Sequence, residues 1–194
     1  MSKLIADLFV SLDGFASGTN EAAFFGYDGP DLSAWVSAEL SHRQRILMGR
    51  NTYVALAGFS ATAGDPASAR MRELPKIVFS TTLTGPLIWD NTTVIAGELD
   101  QEIRALKQQP GEPIRIFGSI RLVQGLMKLG LVDRLRLMVF PLILGITGKE
   151  PIYAPLQRTT LRLAATKELD SRLLLLEYIP TAEGQAPGPY RASI

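Results

Sequence analysis

The sequence predicts an α/β fold, with a mostly parallel central sheet, helices on both faces and an antiparallel hairpin at its C-terminal end. Three observations carry this. Short apolar runs alternate with segments whose apolar residues recur at helical spacing, the pattern of strand–helix–strand units. Four of the runs end in glycine or hydroxyl residues, at Gly49, Ser80-Thr81, Gly97 and Gly118-Ser119. The last two runs, 161–167 and 172–179, are joined near Asp170-Ser171 and read as a hairpin. At 194 residues, with 46% hydrophobic and 20% charged residues, the chain has the length for one sizeable core.

Residues 4–10 are apolar except for Asp7 and predict a buried first strand. A loop rich in Gly, Ser, Asn and Asp follows to Pro30, and its Phe15, Phe24, Phe25 and Tyr27 suit either a cover over a site or packing onto the core. Leu32, Trp35, Val36 and Leu40 place a helix over 31–45, with Asp31 set to cap it. Residues 46–49 form a short strand that runs into a helical turn at Gly49-Arg50-Asn51-Thr52-Tyr53. Residues 58–75 read as loop around a short helical piece at 67–72. Strands follow at 76–82 and 93–97, then a helix capped by Asp100 and ended by Pro110-Gly111. Ile114, Ile116 and Phe117 make a strand, Gly118-Ser119 a tight turn, and Leu122, Val123, Leu126 and Met127 a helix stopped by Gly130. The run 135–144 is a long strand, apolar almost throughout, as suits a central strand buried on both faces or a subunit contact. Residues 1–180 read as one domain and 181–194, rich in Pro and Gly, as a loosely ordered tail.

Composition removes several classes of function. Cysteine is absent and His42 is the only histidine, so thiolate metal sites, multi-histidine metal sites, disulfides and a cysteine nucleophile are excluded. No metal is expected. The formal net charge is +1 and the basic residues are scattered, which argues against a nucleic-acid partner. No signal peptide and no run long enough to span a membrane is present, so the reading is a soluble cytoplasmic protein.

Ligands on open parallel sheets lie beyond the carboxyl ends of the strands. A strand, a small turn and a helix N-terminus offer free backbone N–H groups and partial positive charge to a phosphate. The coincidence of small residues at four strand ends therefore points to a nucleotide site.

The motifs Ser11-Leu12-Asp13-Gly14, Gly49-Arg50-Asn51-Thr52-Tyr53, Phe79-Ser80-Thr81-Thr82-Leu83, Phe117-Gly118-Ser119, Gly130-Leu131-Val132-Asp133 and Pro141-Leu142-Ile143-Leu144-Gly145 stand in order along the chain. Together they resemble the dihydrofolate reductase superfamily. The nearer likeness is to the C-terminal reductase domain of the bifunctional riboflavin-biosynthesis deaminase–reductase and its stand-alone relatives. The resemblance implies a three-layer dihydrofolate reductase-like fold, NADPH as cofactor, hydride transfer to a small heterocycle, and a homodimer. It implies that Arg50 pairs with the 2′-phosphate, with Ser80 and Thr81 on the same side. Gly49 and Thr52, and then Gly118, Ser119 and Ile120, would cradle the diphosphate, with Gly97 at a neighbouring strand end. Leu12, Asp13 and Gly14 would border the nicotinamide. Asp31 stands where folate reductases carry the carboxylate that binds the pterin ring, a role for which Glu21, Asp28 and Glu39 compete. The deaminase half of the bifunctional enzyme, with its zinc site, is missing, and the tandem-glycine turn is altered to Gly118-Ser119. The acceptor is read as a pterin or dihydrofolate, or a ribosylaminopyrimidine of riboflavin biosynthesis. The alternative is a catalytically silent NADP-binding protein.

Overall fold

The computed structural model describes residues 1–181. Its strands are β1 (Leu4–Ser11), β2 (Phe15–Gly18), β3 (Arg45–Gly49), β4 (Lys76–Phe79), β5 (Thr92–Ile95), β6 (Ile114–Phe117), β7 (Arg134–Phe140), β8 (Gly148–Pro151), β9 (Thr160–Leu169) and β10 (Leu173–Thr181). Its helices are α1 (Pro30–Ser41), α2 (Arg50–Thr62), α3 (Pro66–Glu73), α4 (Leu99–Gln108) and α5 (Ile120–Lys128). The main sheet runs β5-β4-β3-β6-β1-β7-β10-β9. Every pairing from β5 to β7 is parallel, while β10 is antiparallel to both β7 and β9. The expected mostly parallel sheet with a C-terminal hairpin is therefore what forms. Residues 182–194, most of the expected tail, lie outside the described residues, and Thr181 belongs to β10, paired with Thr160.

Alternation along β1 divides the core into two layers. Leu4, Ala6, Leu8 and Val10 meet Ile103 of α4 and Leu122, Val123, Leu126 and Met127 of α5. On the other face, Ile46 and Met48 of β3 pack with Leu40 of α1 and with Tyr53 and Ala57 of α2. Trp35 and Leu32 of α1 pack there against Met138 and Phe140 of β7. The sheet is thus covered on both sides.

A charged group sits inside the α1 layer. The Asp7 carboxylate accepts from Arg115 Nε at 2.8 Å and from Arg136 Nε at 2.6 Å. Glu39 of α1 closes the set, pairing with Arg115 at 2.9 Å and Arg136 at 3.1 Å. Two carboxylates thus balance two guanidiniums, and each guanidinium also lies over a ring, Arg115 on Phe117 and Arg136 on Trp35. Burial works to lower the Arg136 pKa, but the charges of Asp7 and Glu39 outweigh it and leave that pKa raised.

Several expectations are corrected. The region 58–75 is mostly helical, because α2 continues to Thr62 and α3 follows with Asp65 as its cap, accepting from the Ser68 N–H at 2.9 Å. The first helix ends at Ser41, so Arg45 already belongs to β3. The run 135–144 is a strand only as far as Phe140: β7 lies between β1 and β10 and is buried on both faces, whereas Pro141 and Ile143 beyond it are exposed. The loop 14–30 contains β2, which pairs antiparallel with β8 in a separate ribbon. Its aromatics pack back onto the core, Phe24 against Phe9, and Phe25 and Tyr27 against Phe140.

The start of α1 is built differently from the sequence reading. Its N-cap is Gly29, which offers no side chain, and Asp31 lies in the first turn. Asp170, in the β9–β10 turn, supplies the cap from a distance: its carboxylate accepts the N–H of Asp31 at 2.8 Å and of Leu32 at 3.0 Å. The Asp31 carboxylate returns the contact by accepting the Asp170 N–H at 2.9 Å. A Cβ at Gly29 would collide with the Asp170 carboxylate, so any larger residue there would push the capping group aside. The helix at 99–108 likewise has Glu98 as its N-cap, with Asp100 inside the first turn.

Candidate functional site

Strands β3 and β6 are neighbours, and the chain leaves their carboxyl ends in opposite directions. From β3 it passes through α2 and α3 to β4 on one side; from β6 it passes through α5 to β7 on the other. Such a reversal opens a crevice between the two loops. Here it is a cleft of about 600 Å³ lined by Gly49, Arg50, Asn51 and Thr52 on one side and Gly118, Ser119, Ile120 and Arg121 on the other. Leu8, Phe9, Ala16 and Glu150 line it too. A second hollow of about 560 Å³ shares Arg50, Asn51 and Ala55 with it and reaches Thr82, Leu83 and Thr84.

One hydroxyl joins the two loops. Ser119 Oγ accepts the Gly49 N–H at 2.8 Å and donates to Thr52 Oγ1 at 2.7 Å. Since Thr52 Oγ1 is already an acceptor, its own proton is free to point elsewhere. To make this bridge Ser119 adopts φ +57°, next to Gly118 at φ +58°. The left-handed conformation costs a residue with a side chain about 1 kcal/mol, and the two hydrogen bonds offset that.

The electrostatics of the cleft favour an anion. Helices α2 and α5 both begin at its rim, so their unpaired first-turn N–H groups and the positive ends of their dipoles converge there. Arg50 and Arg121 are exposed on those first turns, and neither has an ion pair among the described residues. Two guanidiniums, two helix starts and a free hydroxyl proton suit a diphosphate with a further phosphate at its edge.

The model of the RibD C-terminal domain family matches residues 2–175. The chain belongs to that family. A curated relative from Bacillus subtilis, the uncharacterized protein YyaP, is 28% identical over 184 residues, 91% of this chain and 94% of YyaP. A putative riboflavin biosynthesis protein from Shewanella sp. PV-4 superposes with a TM-score of 0.75 at 20% identity, covering 93% of this chain and 99% of that one. The riboflavin biosynthesis reductase Rib7 of Saccharomyces cerevisiae gives a TM-score of 0.60 at 15% identity, over 93% of this chain and 90% of that one. The deaminase/reductase of Thermotoga maritima gives 0.66 at 14% identity; 93% of this chain matches 57% of that longer one. The resemblance to the riboflavin-reductase type of the dihydrofolate reductase fold thus holds for nearly the whole chain.

In this RibD-type domain the residues singled out from sequence divide into two groups. Gly49, Arg50, Thr52, Gly118, Ser119 and Ile120 meet at the cleft. Ser80 and Thr81 stand back from it. Ser80 is buried, and its Oγ accepts the N–H groups of Thr82 and Leu83 at 3.1 and 3.0 Å, so that Thr82, Leu83 and Thr84 line the hollow beside Arg50. Gly97 lines neither space; a Cβ there would meet the Glu102 carboxylate at 2.4 Å. Leu12 is exposed, and Gly14, at φ +84°, lies so close under the Tyr153 ring that a Cβ would come within 2.8 Å of it.

The two acidic candidates are engaged with the protein. Asp13 accepts from Ser11 Oγ at 2.7 Å, from the Gly145 N–H at 2.8 Å and from the Leu144 N–H at 3.2 Å. The Ser11 hydrogen bond chiefly, opposed by desolvation and helped by those N–H groups, holds its carboxyl below the usual range. Asp13 thus ties the first turn to the segment after β7. Asp31 is occupied by Asp170 and does not line the cleft. Of its competitors, Glu39 is committed to the buried arginines, and neither Glu21 nor Asp28 reaches the lining. Sequence reasoning missed Arg121, although its place directly after the small turn was a usable signal. It also missed Phe9, which reaches the cleft from β1, and Ala16 and Glu150, which come to it through pairing of β2 with β8 and carry no local mark.

Proposed function

We propose that this chain is an NADPH-dependent reductase that transfers a hydride to a small heterocycle, pterin- or dihydrofolate-like or a ribosylaminopyrimidine. Membership of the RibD C-terminal domain family supports the reductase role. The observation that carries the cofactor is the convergence of two helix starts with Arg50 and Arg121 on one cleft. The residues fit the group: Gly49, Thr52, Ser119 and Ile120 would hold the diphosphate, and Arg50, shared with the side hollow, the 2′-phosphate. When bound, the nicotinamide supplies the hydride. The chain contributes position and exclusion of water, with Leu8, Phe9 and Ala16 offering an apolar lining.

The test is a fluorescence titration with NADPH and NADH. The wild type should bind NADPH more tightly than NADH. Arg50→Ala should weaken NADPH tenfold or more and NADH less than twofold; equal losses would remove the 2′-phosphate role. A second reading, NADP binding without turnover, is favoured by the failure of Asp31, Glu21, Asp28 and Glu39 to reach the cleft. Stoichiometric NADPH binding with no oxidation across pterins, aminopyrimidines and small carbonyls would select it. A homodimer acting in the cytoplasm completes the reading. The cysteine-free composition supports the compartment, and the edge strand β9 with its exposed Leu163 supports the assembly. A monomer mass from light scattering at micromolar protein would count against the dimer.

A further inference from the structure

On the side of β1, two strands from the β3 end that carries Arg50, the cleft is lined by the apolar Leu8 and Phe9, with Ala16 and Glu150 of the β2–β8 ribbon also on the lining. Among the described residues Glu150 is the sole carboxylate on the lining. It belongs to β8, whose ribbon with β2 pairs Phe15 with Pro151 and Ser17 with Lys149. Glu150 and Ala16 fall between those two pairs, and both face the cleft.

Two features set Glu150 apart from an ordinary surface glutamate. Its φ is +55°, in the left-handed region that disfavours a residue with a side chain, and an outlier of this kind motivates a search for function. One carboxylate oxygen is held in place, since Ser17 Oγ donates to Oε2 at 3.1 Å. No Lys, Arg or His among the described residues lies within ion-pair distance to neutralise it. An ionised carboxylate has about four acceptor positions, and Ser17 fills one. The side chain is exposed on the cleft lining, so its remaining positions are open to water and, when the cleft is filled, to donors from a ligand.

We propose that Glu150 is the acceptor-binding carboxylate of this site, receiving paired N–H donors from a planar amino-substituted nitrogen heterocycle. The proposal rests on the reductase reading and deepens it. It moves the ring-binding role from the first helix, where Asp31 is engaged by Asp170, to the β2–β8 ribbon. It also sets specificity: the ring edge that meets Glu150 must be neutral or cationic and rich in N–H, and an anionic substituent there is repelled. Ser17 is a positioning residue that fixes which oxygen faces the ring.

The probe is 2,4-diaminopyrimidine, with unsubstituted pyrimidine as the control lacking N–H donors. Binding is measured by calorimetry on the full chain, with and without saturating NADPH. The wild type should bind the diamino compound and not pyrimidine. Glu150→Gln, which replaces one acceptor by a donor, should weaken the probe tenfold or more. Its NADPH affinity should stay within twofold and its thermal midpoint within about 1 °C of wild type. Ser17→Ala should give a smaller loss, about two- to fivefold, in probe affinity alone. An unchanged probe affinity in Glu150→Gln, a loss confined to NADPH, or no binding of the probe by the wild type would each overturn the proposal. Failure of NADPH to bind the wild type would strike the reductase reading instead, and the cofactor-free titration would still decide the role of Glu150.

Discussion

Replacing Asp7 by Asn should destabilise the protein by about 3–5 kcal/mol, the range for removing one partner of a buried ion pair. The structure supports a value within that range. Side-chain exposure is 2% for Asp7, 3% for Arg115 and 9% for Arg136, so water screens little of the imbalance. In the wild type two acids face two guanidiniums; in Asp7→Asn, Glu39 alone faces both, and the asparagine NH2 confronts a guanidinium donor. Domains are stable by about 5–15 kcal/mol, so the loss is a large share of the total. At about 2–4 °C per kcal/mol for a chain of this size, the thermal midpoint should fall by about 6–20 °C. Glu39→Gln is the internal comparison. Glu39 is 21% exposed, and water can solvate the group left behind, so its loss should be about half as large or less. Urea unfolding followed by circular dichroism measures both. A loss below about 1 kcal/mol for Asp7→Asn, or one no greater than for Glu39→Gln, would refute the view that these four charges form one mutually compensating unit.

The remaining predictions concern the site, the first helix and pH. Ser119→Gly should keep the turn but lose the bridge between loops. Relief of the left-handed φ then partly offsets the lost hydrogen bonds, so stability should change by less than about 1 kcal/mol, while NADPH affinity falls severalfold in the same fluorescence titration. Asp31→Ala should leave NADPH binding and any turnover within twofold; a tenfold loss of turnover would restore the role first read for it. Asp170→Ala removes the distant cap and should cost about 1 kcal/mol in urea unfolding. Lys76 is buried over Trp89 and donates to the Arg72 and Leu74 carbonyls and to Asn91 Oδ1. Desolvation lowers its pKa from 10.5 to about 8. The unfolded chain therefore binds more protons between about pH 8 and 10.5, and the Lys76 contribution to stability rises with pH across that window. Lys76→Met should flatten that rise, read as the urea midpoint between pH 7 and 10.5.

The parts of the fold readable from sequence were those whose signals are local. Apolar runs at β1, β3, β6 and β7 and helical spacing in α1, α4 and α5 reflect which face each element buries, and burial is what the pattern records. The continuous helix at α2 was missed because the loop was read from Gly58 onward, while packing of Tyr53 and Ala57 under the sheet holds α2 through Gly58. The β2–β8 ribbon was missed because its strands are four residues each and far apart in sequence; neither has a pattern of its own without the partner. The cleft divides the same way. Strand-end motifs announced Gly49-Arg50 and Gly118-Ser119, since small residues before a helix are a local requirement. The acidic residue was sought on the first helix because Asp31 looks like a cap or a ligand, and nothing near it reveals that Asp170 supplies the cap. Glu150 reaches the cleft only through long-range pairing.

The contact between Asp170 and the start of α1 also orders events in time. Helix α1 is complete once residue 41 has been made, yet the group that satisfies its first N–H donors lies 139 residues further on. A chain growing from the ribosome therefore holds α1 with an open end until the last hairpin emerges. The hairpin that sets β10 against β7 also carries the cap of the first helix, so both contacts await the same segment. The protein is built so that its final strands act as a latch, and a nascent chain cut short before Asp170 lacks it.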